Sequence, residues 1–542
     1  MQPLPRVQRV TMMTTETDQT LLARLSSFPE GKIALRYPRP VSYAELLDRS
    51  LRIAKGLTDR GICAGDRVAL WLPNHEAWLE TCLACAAIGA VALAINPRAR
   101  TKELGYILNR AEAKAILLTA EDAGVNYIDI LRTCDPADVR MLGLVVGVGL
   151  ARGESLGGPA EVCSLDELAG TDRLADIGEL ANEPLLIFAT SGTTGNPKLV
   201  MHRHSSIVAH AINAGRALAM SPTSVTHLAI PLAGVYGFST ALSTLSLGGE
   251  VLMRSTWNPE EARRDIRKFG VTNLITSDVA LTQLFAASGS GEDFSSVEHV
   301  FFAYFNSPSS AIVRQAEQLG MRIVGGYGSS ELQALFSARS SDADTDERSK
   351  MGGIPVSPLV KVRARDADTG RILADGQTGM LEFYAPESCF MAYLGDPKLT
   401  AKAFTADGFF KSGDIGYSES NGSFTYLGRS GDNMRVGGYL VHRSEIERVI
   451  ETLPGIVQAH VVSVSTPTGE RPVAFVRSDG SVPIDEAEII SSLQAMIAKY
   501  KVPVKIIALE SFPVSVGANG PKILVSELKR MASDLYHGEI GT

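Results

Sequence analysis

Between residues 43 and 140, short β-rich runs alternate with helical windows. Tyr43-Ala-Glu-Leu-Leu opens a helical stretch, Asp66-Arg-Val-Ala-Leu-Trp-Leu reads as a buried strand, and residues 76–90 read as a helix. Val91-Ala-Leu-Ala-Ile and Ala115-Ile-Leu-Leu-Thr supply further strands. Apolar strands separated by helices predict βαβ units and a mostly parallel sheet. The same texture returns from Leu185 to about Gly328, with no repeat of fixed period. Beyond Gly352 the strands shorten. Val360-Lys-Val-Arg-Ala-Arg, Gly379-Met-Leu-Glu-Phe-Tyr and Ser423-Phe-Thr-Tyr-Leu are separated by turns such as Asp375-Gly376, Asp407-Gly408 and Asn421-Gly422, which suit hairpins or a small barrel. A compact segment follows, with a helix over 444–452, strands near His460 and Val473, and a helix over 486–498. The Gly-rich stretch 428–438 reads as the boundary, since small residues absorb backbone rotation at hinges. The expected fold is α/β. Residues 1–427 form a large N-terminal domain of parallel-sheet βαβ subdomains plus a small β-barrel-like subdomain. The hinge 428–438 then leads to a small α+β C-terminal domain over 439–542.

Composition narrows the function without choosing it. At 542 residues the chain exceeds the size of a single core, and 45% hydrophobic with 21% charged residues is ordinary for a globular protein. A net charge of −8 and the lack of any dense Lys/Arg stripe argue against a nucleic-acid partner, but not against a nucleotide. The six cysteines are scattered, and Cys82 and Cys85 form a lone C-x-x-C inside an apolar stretch, so core packing is expected rather than zinc or redox chemistry. Reduced thiols, a polar N-terminus without a signal-peptide core, and no apolar run of about 20 residues predict a cytoplasmic protein with no membrane span.

The candidate chemistry begins at Thr190-Ser-Gly-Thr-Thr-Gly-Asn-Pro-Lys198, directly after the apolar strand Leu185-Leu-Ile-Phe-Ala. This is not a Walker A loop, which ends G-K-[ST]. Its physics is related, however. Gly192 and Gly195 let the backbone approach phosphates, successive N–H groups form an anion nest, Thr190, Ser191, Thr193 and Thr194 add hydroxyl donors, and Lys198 adds charge.

The stretch resembles the phosphate-loop signature of the acyl-adenylate-forming superfamily, and four further elements follow in that superfamily's order. These are Tyr327-Gly-Ser-Ser-Glu331, Gly408-Phe-Phe-Lys-Ser-Gly-Asp414, Gly428-Arg-Ser-Gly-Asp-Asn-Met-Arg-Val-Gly-Gly leading to Ser444-Glu-Ile-Glu447, and Gly517-Ala-Asn-Gly-Pro-Lys522. The resemblance is greatest to acyl-CoA synthetases. It implies adenylation of a carboxylic acid by ATP with Mg²⁺, then transfer to the thiol of CoA or to a carrier protein's phosphopantetheine. It implies that Tyr327, Gly328 and Ser329 bind the nucleotide, with Tyr327 stacking on adenine through its flat face. Ser330 donates to the α-phosphate, and Glu331 ligates Mg²⁺. Asp414 accepts from the ribose hydroxyls, and Arg429 contacts ribose or phosphate. Lys522 bridges carboxylate and phosphate where negative charge develops. The C-terminal domain is implied to be mobile, with Gly437 and Gly438 helping to form a pantetheine tunnel in a second orientation. A homodimer is implied by the resemblance alone.

Several positions depart from the superfamily's pattern. Its P-[LM]-F-H-x-x-G is here Pro231-Leu-Ala-Gly-Val-Tyr-Gly237, and its G-G-A-P turn is Phe302-Ala-Tyr-Phe-Asn-Ser-Pro308. Gly431 replaces the usual Asp or Lys of the hinge, and Pro521 looks inserted before Lys522. Residues 233–249 contain no Asp or Glu to pair a substrate ammonium, so an uncharged acid is expected rather than an α-amino acid. Ala233, Gly234, Ala303 and Tyr236 are the acyl-pocket candidates. The alternatives are a ligase loading a separate carrier protein, a luciferase-like oxygenase, and a degenerate nucleotide-binding module without turnover.

Overall fold

The computed structural model describes residues 20–36, 38–150, 160–175, 177, 180–190, 197–287, 291–303, 310–430, 433–436, 439–466, 469–497, 501–517 and 520–540. Two large sheets dominate the N-terminal part. In the first, of eight strands, Arg67–Trp71, Val91–Ala94, Ala113–Thr119, Leu144–Val148, Glu161–Ser164 and Pro184–Thr190 run parallel. Lys198–Arg203 and Ala392–Tyr393 add antiparallel strands beyond Pro184–Thr190. In the second, Val225–Leu228, Glu250–Met253, Asn273–Ser277, His299–Ala303 and Ile323–Tyr327 are parallel.

At Tyr327 the second sheet changes sense. Ser337–Ala338 pairs antiparallel with Ile323–Tyr327, and the sheet continues through Met351–Pro355, Phe424–Arg429, Phe410–Ser418 and Gly379–Tyr384 to Lys361–Arg365. The short strands expected as hairpins or a small barrel are therefore an antiparallel continuation of the larger sheet. Asn421-Gly422 is a hairpin turn as predicted, with Gly422 at φ 84°, a left-handed backbone that glycine adopts without steric cost.

Two of the helices lie inside the molecule. Helix Val235–Ser246 is buried at every position, and Glu76–Ile88 at all but its two ends. With His204–Ala217 they share one core with both sheets, and the Thr240 and Thr244 hydroxyls of helix Val235–Ser246 are satisfied by the carbonyls of Tyr236 and Thr240. Cys82 and Cys85 are two of those core residues, as expected.

The small C-terminal domain has a five-stranded sheet of Asn433–Val436, Tyr439–His442, Ile456–Thr466, Gly469–Ser478 and Lys505–Ala508. Helices Arg443–Ile450, Glu486–Met496 and Val525–Ile540 and the hairpin Val514–Gly517 with Gly520–Ile523 complete it. Among the described residues no helix is long and apolar enough to cross a membrane.

Candidate functional site

Parallel strands deliver side chains and loops to their carboxyl ends, and Thr190, Ala303 and Tyr327 each end one. Thr190 closes strand Pro184–Thr190 and pairs with Lys198 at the start of the next strand. The Thr190 hydroxyl donates to the Lys198 carbonyl at 3.4 Å. Ser191, Gly192, Thr193, Thr194 and Gly195 lie outside the described residues.

From Lys198 the site runs to Glu331 through a residue that motif reasoning passed over. The Lys198 ammonium lies 5.3 Å from the ring centroid of Tyr393, and the Tyr393 phenol donates to Glu331 Oε1 at 2.8 Å. Tyr393 sits on the edge strand paired with Lys198–Arg203 and is 6% exposed. The Glu331 carbonyl is also held, accepting from the Phe390 N–H at 2.8 Å.

His202, likewise unmarked by any motif, supports the adjacent residue. Its Nε2 is 2.8 Å from the Ser330 carbonyl. A carbonyl only accepts, so Nε2 carries the hydrogen and Nδ1 is bare. Burial lowers the His202 pKa to about 4, which keeps the ring neutral at pH 7. The Ser329 hydroxyl is buried with no hydrogen-bond partner among the described residues.

Gly328 is held to glycine by space. A Cβ there would lie 2.5 Å from Ala334 Cα and 2.7 Å from Ala334 C. The turn it presses on contains Gln333, Ala334 and Leu335 at φ 62°, 49° and 37°, three consecutive left-handed residues. Such strain persists only where the surroundings over-determine it. Here Gln333 donates to the carbonyls of Ser206 and Ser388 at 3.1 Å each and accepts from the Ser239 hydroxyl at 2.6 Å.

Tyr327 and Asp414 form a second group. The Tyr327 phenol donates to Asp414 Oδ2, and the Arg429 Nε is 2.9 Å from Oδ1. Burial, then the Asp414 charge, pushes the Tyr327 phenol well above its ordinary pKa, so it stays a donor. Asp414 is 1% exposed whereas the Arg429 side chain is 56% exposed. Asp414 is the main cause of a raised Arg429 pKa, and Tyr327, Tyr426 and Glu331 add to it. The Tyr327 ring is itself buried, stacked on Phe383 at 5.6 Å and edge-on to Phe424 at 5.3 Å. In this arrangement Tyr327 offers its phenol to Asp414 rather than an open face.

The acyl-pocket candidates divide. Ala233 is buried, Gly234 caps helix Val235–Ser246, and Ala303 ends strand His299–Ala303. Tyr236 donates to the Thr276 carbonyl at 2.7 Å and lines a cavity of about 550 Å³, with Arg98, Arg100, Tyr127, His227 and Trp257 on its other walls. Behind His227, Asp265 takes Arg254 as a bidentate partner. Burial alone would raise the Asp265 pKa, but His227 and Arg254 hold it at about 2.

Lys522 lies on strand Gly520–Ile523, opposite Ser515 across the hairpin. Gly431, Gly437 and Gly438 lie outside the described residues. Among the described residues no group of three His, Cys, Asp or Glu could hold a metal by itself.

Residues 22–394 match the AMP-binding enzyme family, and residues 445–516 match the AMP-binding enzyme C-terminal domain. Pyochelin synthase PchD of Pseudomonas aeruginosa is 29% identical over 92% of this chain and 91% of its own length. A feruloyl-CoA synthase of Amycolatopsis sp is 30% identical over 90% of this chain and 94% of its own. The crystal structure of ATP-bound MatB from Rhodopseudomonas palustris superposes with a TM-score of 0.83 at 26% identity, covering 95% of this chain and 99% of that one. The protein thus belongs to the AMP-binding enzyme family, as an acyl-CoA synthetase-like member of the acyl-adenylate-forming superfamily.

Proposed function

We propose that the protein activates an uncharged carboxylic acid with ATP and then transfers the acyl group to the thiol of CoA. The observation that carries this reading is two linked groups, Lys198 joined to Glu331 through Tyr393 and Asp414 held between Tyr327 and Arg429, with Tyr327 and Glu331 four residues apart in the chain. In the first step the substrate carboxylate attacks the α-phosphorus, the bond to the β-phosphate oxygen breaks, and acyl-AMP and pyrophosphate form. Two like-charged groups must approach, so cationic groups act where charge develops. Lys198 faces the outer phosphates, and Lys522, brought by the C-terminal domain, bridges the carboxylate and the α-phosphate. Thr190 and the 328–330 segment supply donors, with Ser330 on the α-phosphate, while Asp414 and Arg429 hold the ribose. Mg²⁺ bound with the nucleotide supplies charge neutralisation, with Glu331 as its protein ligand.

In the second step the thiol attacks the acyl carbonyl and AMP leaves. Rotation about residues 428–438 replaces Lys522 with the face bearing Gly437 and Gly438. A resemblance to feruloyl-CoA synthase supports CoA as the acceptor. The cavity of about 550 Å³ that Tyr236 lines is in the size range of small-molecule sites and supports an acyl pocket there.

The test is pyrophosphate release from Mg·ATP across short, medium-chain, aryl and alicyclic acids, with and without CoA, and with Lys522→Ala as control. Release that requires one acid class, collapses in the variant and accelerates with CoA supports the proposal. Acid-dependent release indifferent to CoA points to a carrier protein as acceptor. ATP binding without release for any acid overturns the enzyme reading.

A further inference from the structure

We infer that Tyr393 is a positioning residue that sets the phosphate-loop lysine and the candidate Mg²⁺ carboxylate at a fixed spacing, a role that rests on the function proposed above. Two contacts on different faces of one side chain carry this. The phenol donates to Glu331 Oε1 at 2.8 Å, and the ring lies 5.3 Å from the Lys198 ammonium.

The side chain has little freedom to do otherwise. Its backbone N–H donates to the Thr400 hydroxyl at 3.0 Å, and Val200 is its ladder partner two residues beyond Lys198. The flanking residues are tied to the same strand, Met391 N–H to the Met201 carbonyl at 2.7 Å and Leu394 N–H to the Leu199 carbonyl at 2.8 Å. The Phe390 ring packs against it at 4.7 Å, and the Phe390 N–H holds the Glu331 backbone at 2.8 Å. One short edge segment thus grips both strand Lys198–Arg203 and residue 331. A carboxylate oxygen has two lone-pair sites, so Oε1 can accept from the phenol while the carboxylate still faces a cation. The hydroxyl fixes the angle of the carboxylate, and the ring's negative face biases the ammonium without removing a donor from it.

The two contacts separate by substitution. Tyr393→Phe keeps the ring and removes the hydroxyl, whereas Tyr393→Leu removes both. Equilibrium ATP binding to the full chain, measured by calorimetry in excess EDTA and across a Mg²⁺ titration, reads the two groups without turnover. Outer-sphere partners of metal ligands typically change metal affinity by about 10–100-fold. Tyr393→Phe should raise the Mg²⁺ concentration for half-maximal enhancement of ATP binding about tenfold and leave binding in EDTA unchanged. Tyr393→Leu should show the same Mg²⁺ shift and also weaken binding in EDTA by about threefold, through Lys198. An unaltered Mg²⁺ requirement in Tyr393→Phe overturns the inference while the proposed function stands. Equal losses in EDTA for both variants overturn it too, because they indicate packing damage. If the unsubstituted protein fails to bind ATP, the functional reading falls and the inference falls with it.

Discussion

Replacing Gly328 with alanine tests whether the strained turn carries the site. The new methyl would sit 2.5 Å from Ala334 Cα, 2.7 Å from Ala334 C and 2.9 Å from Leu335 N. All three are backbone atoms, so no rotamer relieves the clash. Restoring ordinary contact requires the 328 backbone or the 333–335 turn to retreat by about 1 Å, and overpacking of this kind costs about 1–3 kcal/mol. The turn cannot yield freely, because Gln333 is tied at three points to Ser206, Ser388 and Ser239. The displacement therefore passes to Ser330 and Glu331, which lie between the two clashing segments. A misplacement of about 1 Å in a positioning element can cost about a hundredfold in rate. Acid-dependent pyrophosphate release should accordingly fall about a hundredfold while urea unfolding shows a loss of only about 1–3 kcal/mol. Gly31→Ala, where an added Cβ meets nothing within 4 Å, is the matched control and should be silent in both assays. Release within threefold of the parent in Gly328→Ala would refute the claim that this turn positions the candidate groups.

Three further outcomes are expected. Asp414→Asn leaves Tyr327 an acceptor and exposes Arg429 to water, so stability should change by about 1 kcal/mol while ATP binding by calorimetry weakens tenfold or more; parent-like binding would remove Asp414 from the site. Asp265→Ala leaves Arg254, whose side chain is 15% exposed, without its bidentate partner, and chemical denaturation should register a loss of about 3–5 kcal/mol. His202, His204 and His210 are each held by burial at a pKa of about 4, below the unfolded value of about 6.5. The unfolded chain binds more protons between those values, so stability is retained above pH 6.5 and lost as pH falls toward 4, at up to about 1.4 kcal/mol per histidine per pH unit. The thermal midpoint should drop from pH 7 to 5, and His204→Gln should flatten the slope.

What could be read in advance depended on how local each signal was. The strand Leu185–Phe188 and the residues after it are contiguous, so apolar run, glycines, hydroxyls and lysine declare themselves together. Tyr327 to Glu331 is equally compact. Tyr393 and His202 carry no such mark, because one is an aromatic in an edge strand and the other a polar residue in a ladder, and only the fold brings them to Glu331 and Ser330. The junction where the second sheet turns antiparallel escaped for another reason. It runs through Ser337–Ala338, a strand of two residues, too short for any periodicity to register. The helix Val235–Ser246 is buried at every position, so no charged face marks its helical period in the sequence.

Arg429 is the last residue of its strand, the final described stretch of the second sheet before the chain passes to the C-terminal sheet, and its guanidinium is moored to Asp414. A ribose that engages Asp414 draws on the oxygens that restrain Arg429. Were a nucleotide to bind there, its occupancy and the hold of Asp414 on Arg429 would be reciprocal quantities: whatever one contributed to the other's free energy would be returned in equal measure. Such a tether would make the stretch of chain that leads to the C-terminal sheet answer to what Asp414 holds.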